Sequence, residues 1–128
     1  MKTLKELNSF EDACKYQDLN AATVIPDFSC YPERHRKSMI AHAMLVIIIE
    51  AANRLGNGGK PWVADFEDES QLKWEIYWMR GSSGFRFLDY VYWHSGSCVG
   101  SRLCYVNREV AMYVGSHENF VKLFNEYL

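Results

Sequence analysis

One stretch with helical periodicity constrains the fold of this chain more than any other feature. Between Pro32 and Gly56, apolar residues recur every three or four positions, as they do on one face of a helix. They are Met39, Ile40, Met44, Ile47, Ile48, Ala51, Ala52 and Leu55. Pro32 suits a helix start, where its missing N–H is not needed, and Gly56 precedes an Asn-Gly-Gly loop that suits a helix end. The pattern predicts a long helix that forms the spine of the core.

The centre of this helix is apolar on its other faces too, at Leu45, Val46 and Ile49, which predicts cover on more than one side. The longest apolar run, residues 43–49, is much shorter than the roughly 20 residues of a membrane span. The N-terminal residues alternate charged with apolar side chains, unlike a secretory signal. We therefore expect a cytoplasmic protein without a membrane span.

Chain length and composition favour one domain covering residues 1–128. A chain of 128 residues, 48% apolar and 15% aromatic, can bury roughly two-thirds of its unfolded surface without metals or disulfides. The net charge of −2 provides no overall field that would attract nucleic acid or an anionic membrane. We expect the four cysteines to be reduced, because a cytosolic domain with an adequate core has little need of disulfides.

Two shorter helical regions flank these elements. Ser9 and Asp12 resemble a capping box and predict a helix from Phe10 to Leu19. Near the other end of the chain, Asn107 is a good N-cap for a final helical region. Gly115 and the serine after it are a candidate break or second cap in that region.

The pattern changes to aromatic, strand-like residues in the second half of the chain. Three segments predict strands: Leu72 to Arg80, Phe85 to His94, and Val99 to Val106. Gly-Ser-Ser-Gly and Ser-Gly-Ser-Cys sequences suitable for turns separate them, which predicts an antiparallel meander. The expected fold class is α+β, with the long central helix and a C-terminal helix packed on one face of a small sheet.

Both faces of the predicted sheet are apolar. In the first strand, alternation places Trp74, Ile76 and Trp78 on one face and Tyr77 and Met79 on the other. In the second strand it separates two groups, which are Phe85, Phe87, Val91 and Trp93 on one face and Leu88, Tyr90 and Tyr92 on the other. Large exposed apolar patches are rare in monomers, so we expect a loop, another subunit or a ligand to cover the second face.

A candidate interaction surface follows from this second face. It comprises Tyr77, Arg86, Tyr90, Tyr92 and Arg102. Tyrosines and arginines can stack on the bases of single-stranded nucleic acid, which is one hypothesis for the function. The slightly acidic balance and the lack of an RNA-binding motif favour a protein partner or self-association instead. The leading hypothesis is a non-enzymatic protein-interaction module.

A candidate basic patch lies in the first turns of the long helix, at Arg34, Arg36 and Lys37. Such a cluster can contact phosphate or an acidic partner, although most such clusters are solvated helix ends. The patch opposes the helix dipole, so a fixed acidic partner would stabilise it. The acidic residues within the segment 65–69 are a candidate for that partner.

The sequence predicts neither a metal site nor a cofactor. His35 and His42 would lie about 10 Å apart along the helix axis, too far for one metal ion without other ligands. Zinc motifs with paired cysteines or histidines at short spacing do not occur. A cysteine-dependent enzyme, with Cys98 or Cys104 beside His94, is a third and less favoured hypothesis.

Six stretches cover most of the chain in order: SFEDACKYQDL, PERHRKSMIAHAMLVIIIEAAN, GKPW, SGFRF, VGSRLCYVNREVAMYVG and KLFNEYL. Together they resemble a family of small proteins of gut Bacteroidales and of their bacteriophages or mobile elements. That family carries no assigned activity, so the resemblance supplies no functional residues. It implies a phage-linked protein that lies in the host cytosol or belongs to a virion.

Overall fold

A computed structural model describes residues 1–93 and 103–128, and these residues form four α-helices and a two-stranded antiparallel sheet. The elements in chain order are α1 (Phe10–Tyr16), α2 (Glu33–Gly56), β1 (Lys73–Gly81), β2 (Gly84–Trp93), α3 (Arg108–Ser116) and α4 (Glu118–Tyr127). A short 3-10 turn, Leu4–Glu6, precedes α1. The predicted α+β class, with a long central helix and C-terminal helices, is confirmed.

Helix α2 is the spine of the core, and it packs against α1, α3 and α4. Its fully buried apolar side chains are Ala41, Leu45, Ile48, Ile49, Ala51 and Ala52. It begins at Glu33 and ends at Gly56, as its proline and glycine signals predict. The predicted end at Gly56 is therefore correct, and the helix starts one residue later than predicted, because Pro32 is the N-cap and not the first helical residue.

By length and composition alone, α2 could also cross a membrane. The apolar 18-residue window that meets this criterion is 39% buried inside the structure. The core helix of a soluble protein meets the same criterion. A protein without a membrane span therefore stays a prediction.

The shorter helices start where their capping residues predict. Ser9 Oγ accepts the Asp12 N–H at 3.0 Å, and Asn107 Oδ1 accepts the Val110 N–H at 2.9 Å. The predicted break in the final helical region is present, since α3 ends at Ser116 and the His117 side chain caps α4. Helix α1 ends earlier than predicted, at Tyr16 rather than Leu19.

A β-bulge changes which residues share a face of the sheet. The register pairs Ile76 with Tyr90 but Trp78 with Phe87, so Leu88 is one extra residue in β2. An extra residue reverses the alternation beyond it. Tyr90 therefore lies on the same face as Phe87, and the predicted separation of these two residues is wrong.

The predicted three-stranded meander is corrected to two strands and one bridge in the described residues. Residues 99–102 of the predicted third strand lie outside those residues, and residues 103–106 are not a strand. Tyr105 alone pairs with Trp74, through hydrogen bonds of 2.8 and 3.1 Å. Asn53 of α2 binds the backbone on either side of Tyr105, at Cys104 O and Val106 N. These contacts direct the chain towards α2 instead of along β1.

The inner face of the hairpin packs on α3 and α4. A side chain at Gly115 of α3 would collide with Phe87 and Ile76, so glycine at this position permits the close approach of α3 to the sheet. Asn125 of α4 donates to Phe85 O at 2.9 Å and accepts the Phe85 N–H at 2.5 Å. The opposite face carries Tyr77 and Met79 of β1 and Arg86 and Asp89 of β2, and it points away from these helices. It is here called the outer face.

Candidate interaction surface

The outer face of the hairpin carries exposed apolar side chains. Tyr77, in the middle of β1, is 57% exposed, and Met79, near the end of β1, is 37% exposed. Leu88, at the bulge of β2, is 46% exposed. These three side chains form the apolar part of the candidate interaction surface.

Two opposite charges accompany them. The register places Asp89 opposite Tyr77 and Arg86 opposite Met79, and both charged residues are exposed. Asp89 Oδ1 accepts the Tyr90 N–H at 2.8 Å, which orients the carboxylate. The outer face therefore combines an apolar centre with one positive and one negative side chain.

The structure separates the five residues predicted as an interaction surface. Tyr77 and Arg86 lie on the outer face, whereas Tyr90 and Tyr92 pair with residues of the inner face. Arg102 lies outside the described residues. The predicted set is therefore not one surface. It left out Met79 and Leu88, which alternation had assigned to the second face, and Asp89 was not predicted there.

Two tyrosines of that set flank Trp74 instead. The ring centroids of Tyr90 and Tyr92 lie 5.5 and 5.1 Å from that of Trp74. Tyr90 is half-buried against the core, and the Arg108 guanidinium lies 5.7 Å from its ring centroid. Tyr92 is 54% exposed. Because these rings pack on the inner side, they do not extend a base-stacking platform from Tyr77.

Two of the three residues of the basic patch, Arg36 and Lys37, have local partners. Arg36 Nε donates to Tyr31 O at 2.8 Å, and Lys37 Nζ lies 4.0 Å from Glu126 of α4. The carboxylate near Lys37 thus comes from the C-terminal helix and not from the predicted acidic segment 65–69. Exposed pairs of this kind contribute little to stability, about 0–1 kcal/mol.

A buried polar cluster joins the segment before β1 to the sheet. Lys73 is fully buried, and its Nζ donates to Asp68 O at 2.6 Å and lies 5.6 Å from the Phe66 ring centroid. The Cys104 thiol donates to Glu75 Oε1 at 3.7 Å. The sequence contains no signal for this burial, because a lysine in a strand is ordinarily solvated.

Cys104 is a poor candidate for the nucleophile of an enzyme. Its burial and the Glu75 carboxylate raise the pKa of its thiol to about 12, whereas a nucleophilic cysteine must ionise near neutral pH. His94 and Cys98, the other residues of that hypothesis, lie outside the described residues. Within residues 1–93 and 103–128, no group of three or more His, Cys, Asp or Glu side chains is placed to hold a metal ion.

The raised pKa predicts slow alkylation of Cys104. At pH 8 we expect about a thousand-fold less thiolate than at an ordinary thiol of pKa about 8.5, and iodoacetamide labelling slower in proportion. Peptide mass mapping would compare it with the exposed Cys30. The free energy of unfolding should also fall as pH rises from about 8.5 towards 12, because the unfolded thiol ionises first. Labelling of Cys104 as fast as Cys30 would contradict this description.

Two cavities lie beside the sheet. The smaller, about 90 Å³, lies between α2 and the segment around Trp62 and also touches Cys104. The larger, about 240 Å³, lies between β1 and α4. Residues that line the larger cavity include Glu75, Trp78, Leu103, Tyr105, Phe124 and Tyr127.

Comparison with protein-family models, with curated proteins and with solved structures finds no match to this chain. A function must therefore be argued from the surface and the cavities themselves.

Proposed function

We propose that this chain is a non-enzymatic protein-interaction module that associates with a second copy of itself through the outer face. The observation that carries the proposal is the exposure of Tyr77, Met79 and Leu88 together on one hairpin. Apolar side chains grouped in this way on a soluble protein commonly mark an interface. Tyrosine and methionine are also enriched in interfaces relative to the rest of the protein surface.

The charges of the outer face favour a second copy over a strongly charged partner. In a two-fold symmetric dimer, each contact of one residue with another occurs twice, with the two copies exchanged. Arg86 of one copy can then face Asp89 of the other, and the reverse. A surface with one charge of each sign is self-complementary in such an arrangement.

The cellular setting is part of the same proposal. The resemblance to proteins of Bacteroidales phages and mobile elements supports a virion component or a modulator of a host factor. Both roles are consistent with a small module whose chemistry is association rather than catalysis. Single-stranded nucleic acid is the less favoured partner, because Tyr77 and Tyr90 lie on opposite faces of the hairpin.

Charge placed at the centre of the outer face should abolish self-association. We expect the wild-type chain to dimerise at micromolar concentrations and Tyr77→Lys to remain monomeric, because the variant loses the apolar ring and sets a cation beside Asp89, which draws that carboxylate away from Arg86 of the other copy. Sedimentation velocity over a range of concentrations measures both. Tyr31→Lys is the matched control, since Tyr31 is 42% exposed but lies in the connector before α2. A wild-type chain that stays monomeric at all concentrations would refute the proposal.

A further inference from the structure

The cavity between β1 and α4 is large enough for a small aromatic molecule. Its volume is about 240 Å³, and an apolar cavity of about 150 Å³ already accommodates benzene. Four aromatic residues contribute to its wall: Trp78, Tyr105, Phe124 and Tyr127. The ring centroids of Trp78 and Phe124 lie 4.4 Å apart, so these two side chains form one continuous part of the wall. Leu128 also lines the cavity and is 54% exposed, so a ligand can enter from solvent beside it.

The wall favours an uncharged ligand. Glu75 is the only lining residue with a charged side chain, and alternation places it on the face of Tyr77, away from the helices. Its Oε1 accepts the Cys104 thiol at 3.7 Å, and Cys104 lines the smaller cavity. An ion in the larger cavity would lose its hydration without an opposite side-chain charge to replace it. A neutral molecule has no such cost.

One buried hydroxyl supplies a polar point on the same side of the sheet. Tyr105 is 1% exposed, and its hydroxyl is the one buried side-chain oxygen or nitrogen in the described residues without a hydrogen-bond partner. Tyr105 pairs with Trp74, and directly paired residues project to the same face of a sheet. Alternation places Trp74, Ile76 and Trp78 on that face, and the last two line the cavity. The Tyr105 side chain therefore extends on the side where the cavity lies.

The unpartnered hydroxyl and the aromatic wall together define a class of ligand. Buried polar groups are nearly always paired, and an exception commonly marks a site for a water molecule or a ligand. A tyrosine hydroxyl can donate a hydrogen bond to a carbonyl oxygen, and aromatic rings pack well against one another. We propose that the cavity binds a neutral aromatic molecule with one ring and one carbonyl oxygen, which accepts the Tyr105 hydroxyl.

Acetophenone and α-methylstyrene test the proposal, because they share one shape and differ in whether oxygen or a CH₂ group ends the double bond. NMR titration of the full ¹⁵N-labelled chain should show saturable binding of acetophenone. Tyr105→Phe should weaken acetophenone binding about fivefold and leave α-methylstyrene binding unchanged, because only the ketone accepts the hydroxyl. Equal changes for both ligands would overturn the proposal. No saturable binding of acetophenone up to about 10 mM would overturn it as well.

Tyr113→Phe is the matched control for Tyr105→Phe. The Tyr113 hydroxyl donates to Leu7 O at 2.8 Å, and Tyr113 is not among the residues that line the cavity. Its loss should leave acetophenone binding unchanged. Tyr105→Phe should fold like the wild-type chain, because the hydroxyl that it removes makes no hydrogen bond within the described residues. Equal weakening of acetophenone binding in the two variants would contradict the role of Tyr105.

The same titration assigns the binding to this cavity. The indole N–H signal of Trp78 should shift with acetophenone, whereas that of Trp62, which lines the smaller cavity, should not. A Trp78 signal that stays in place at saturation would contradict the assignment. Tyr77→Lys acts on the outer face, so it should abolish the dimer and keep the acetophenone affinity. Loss of acetophenone binding in that variant would contradict a site complete within one copy.

Discussion

Replacing Asn53 with leucine should lower the free energy of unfolding by about 2 to 6 kcal/mol. Asn53 is 3% exposed, and its side chain makes two hydrogen bonds of 2.8 Å, to Cys104 O and from Val106 N. Leucine has the same number and branching of side-chain heavy atoms as asparagine but no polar atom. Both backbone groups would then lose the Asn53 side chain as their partner, and losing a hydrogen-bond partner away from water costs a backbone group about 1–3 kcal/mol.

The large expected loss of stability follows from the position of Asn53 between two parts of the fold. It is the link between α2 and the segment that carries Tyr105 to its bridge with Trp74. Domains of this size have total stabilities of about 5–15 kcal/mol, so the variant should unfold at a markedly lower urea concentration. Urea unfolding followed by circular dichroism and tryptophan fluorescence measures the difference.

Asn119→Leu is the matched control for Asn53→Leu. Asn119 is an exposed helical asparagine, and its side chain donates one hydrogen bond of 2.8 Å to Asn8 O. Water can replace that bond, so we expect a loss below about 1 kcal/mol. Equal losses in the two variants would show that the Asn53 hydrogen bonds do not organise the segment 103–106.

The elements that the sequence predicts well are those fixed by local chemistry. Pro32 and Gly56 mark the ends of α2, and Asn107 marks the start of α3, because helix ends depend on residues next to them in the chain. The apolar period of α2 likewise identifies the core helix without knowledge of its neighbours. The two strands of the hairpin are predicted within one residue at each end.

The features that the sequence does not reveal depend on contacts between distant residues. The bulge at Leu88 is one extra residue in a run of apolar and aromatic side chains, so alternation alone cannot locate it. It moves Tyr90 and Tyr92 to the inner face and breaks up the predicted surface. The hydrogen bonds from Asn53 to residues 104 and 106 join positions 51 and 53 residues apart in the chain, and no local pattern indicates them.

The outer face was only partly predictable for the same reason. Tyr77 and Met79 follow from alternation in β1, where no extra residue precedes them. Asp89 lies opposite Tyr77 only because the bulge shifts the register of β2. The self-complementary pair of charges, on which the proposed association with a second copy rests, is therefore a property of the folded hairpin.

Charge reversal on the outer face should abolish self-association in each variant alone and restore it in their mixture. In a symmetric dimer of Arg86→Asp, the aspartate at position 86 of each copy faces Asp89 of the other copy. In a symmetric dimer of Asp89→Arg, the arginine at position 89 of each copy faces Arg86 of the other copy. Like charges brought together in an interface cost several kcal/mol. Each variant should therefore remain monomeric at concentrations where the wild-type chain is a dimer.

An equimolar mixture of Arg86→Asp with Asp89→Arg is the sharpest test of association through the outer face. One copy then presents two aspartates and the other two arginines, so both contacts of a heterodimer are attractive. Sedimentation velocity of the equimolar mixture should show a dimer that neither variant forms alone. A mixture that stays monomeric while the wild-type chain dimerises, or single variants that dimerise like the wild type, would contradict association through the outer face.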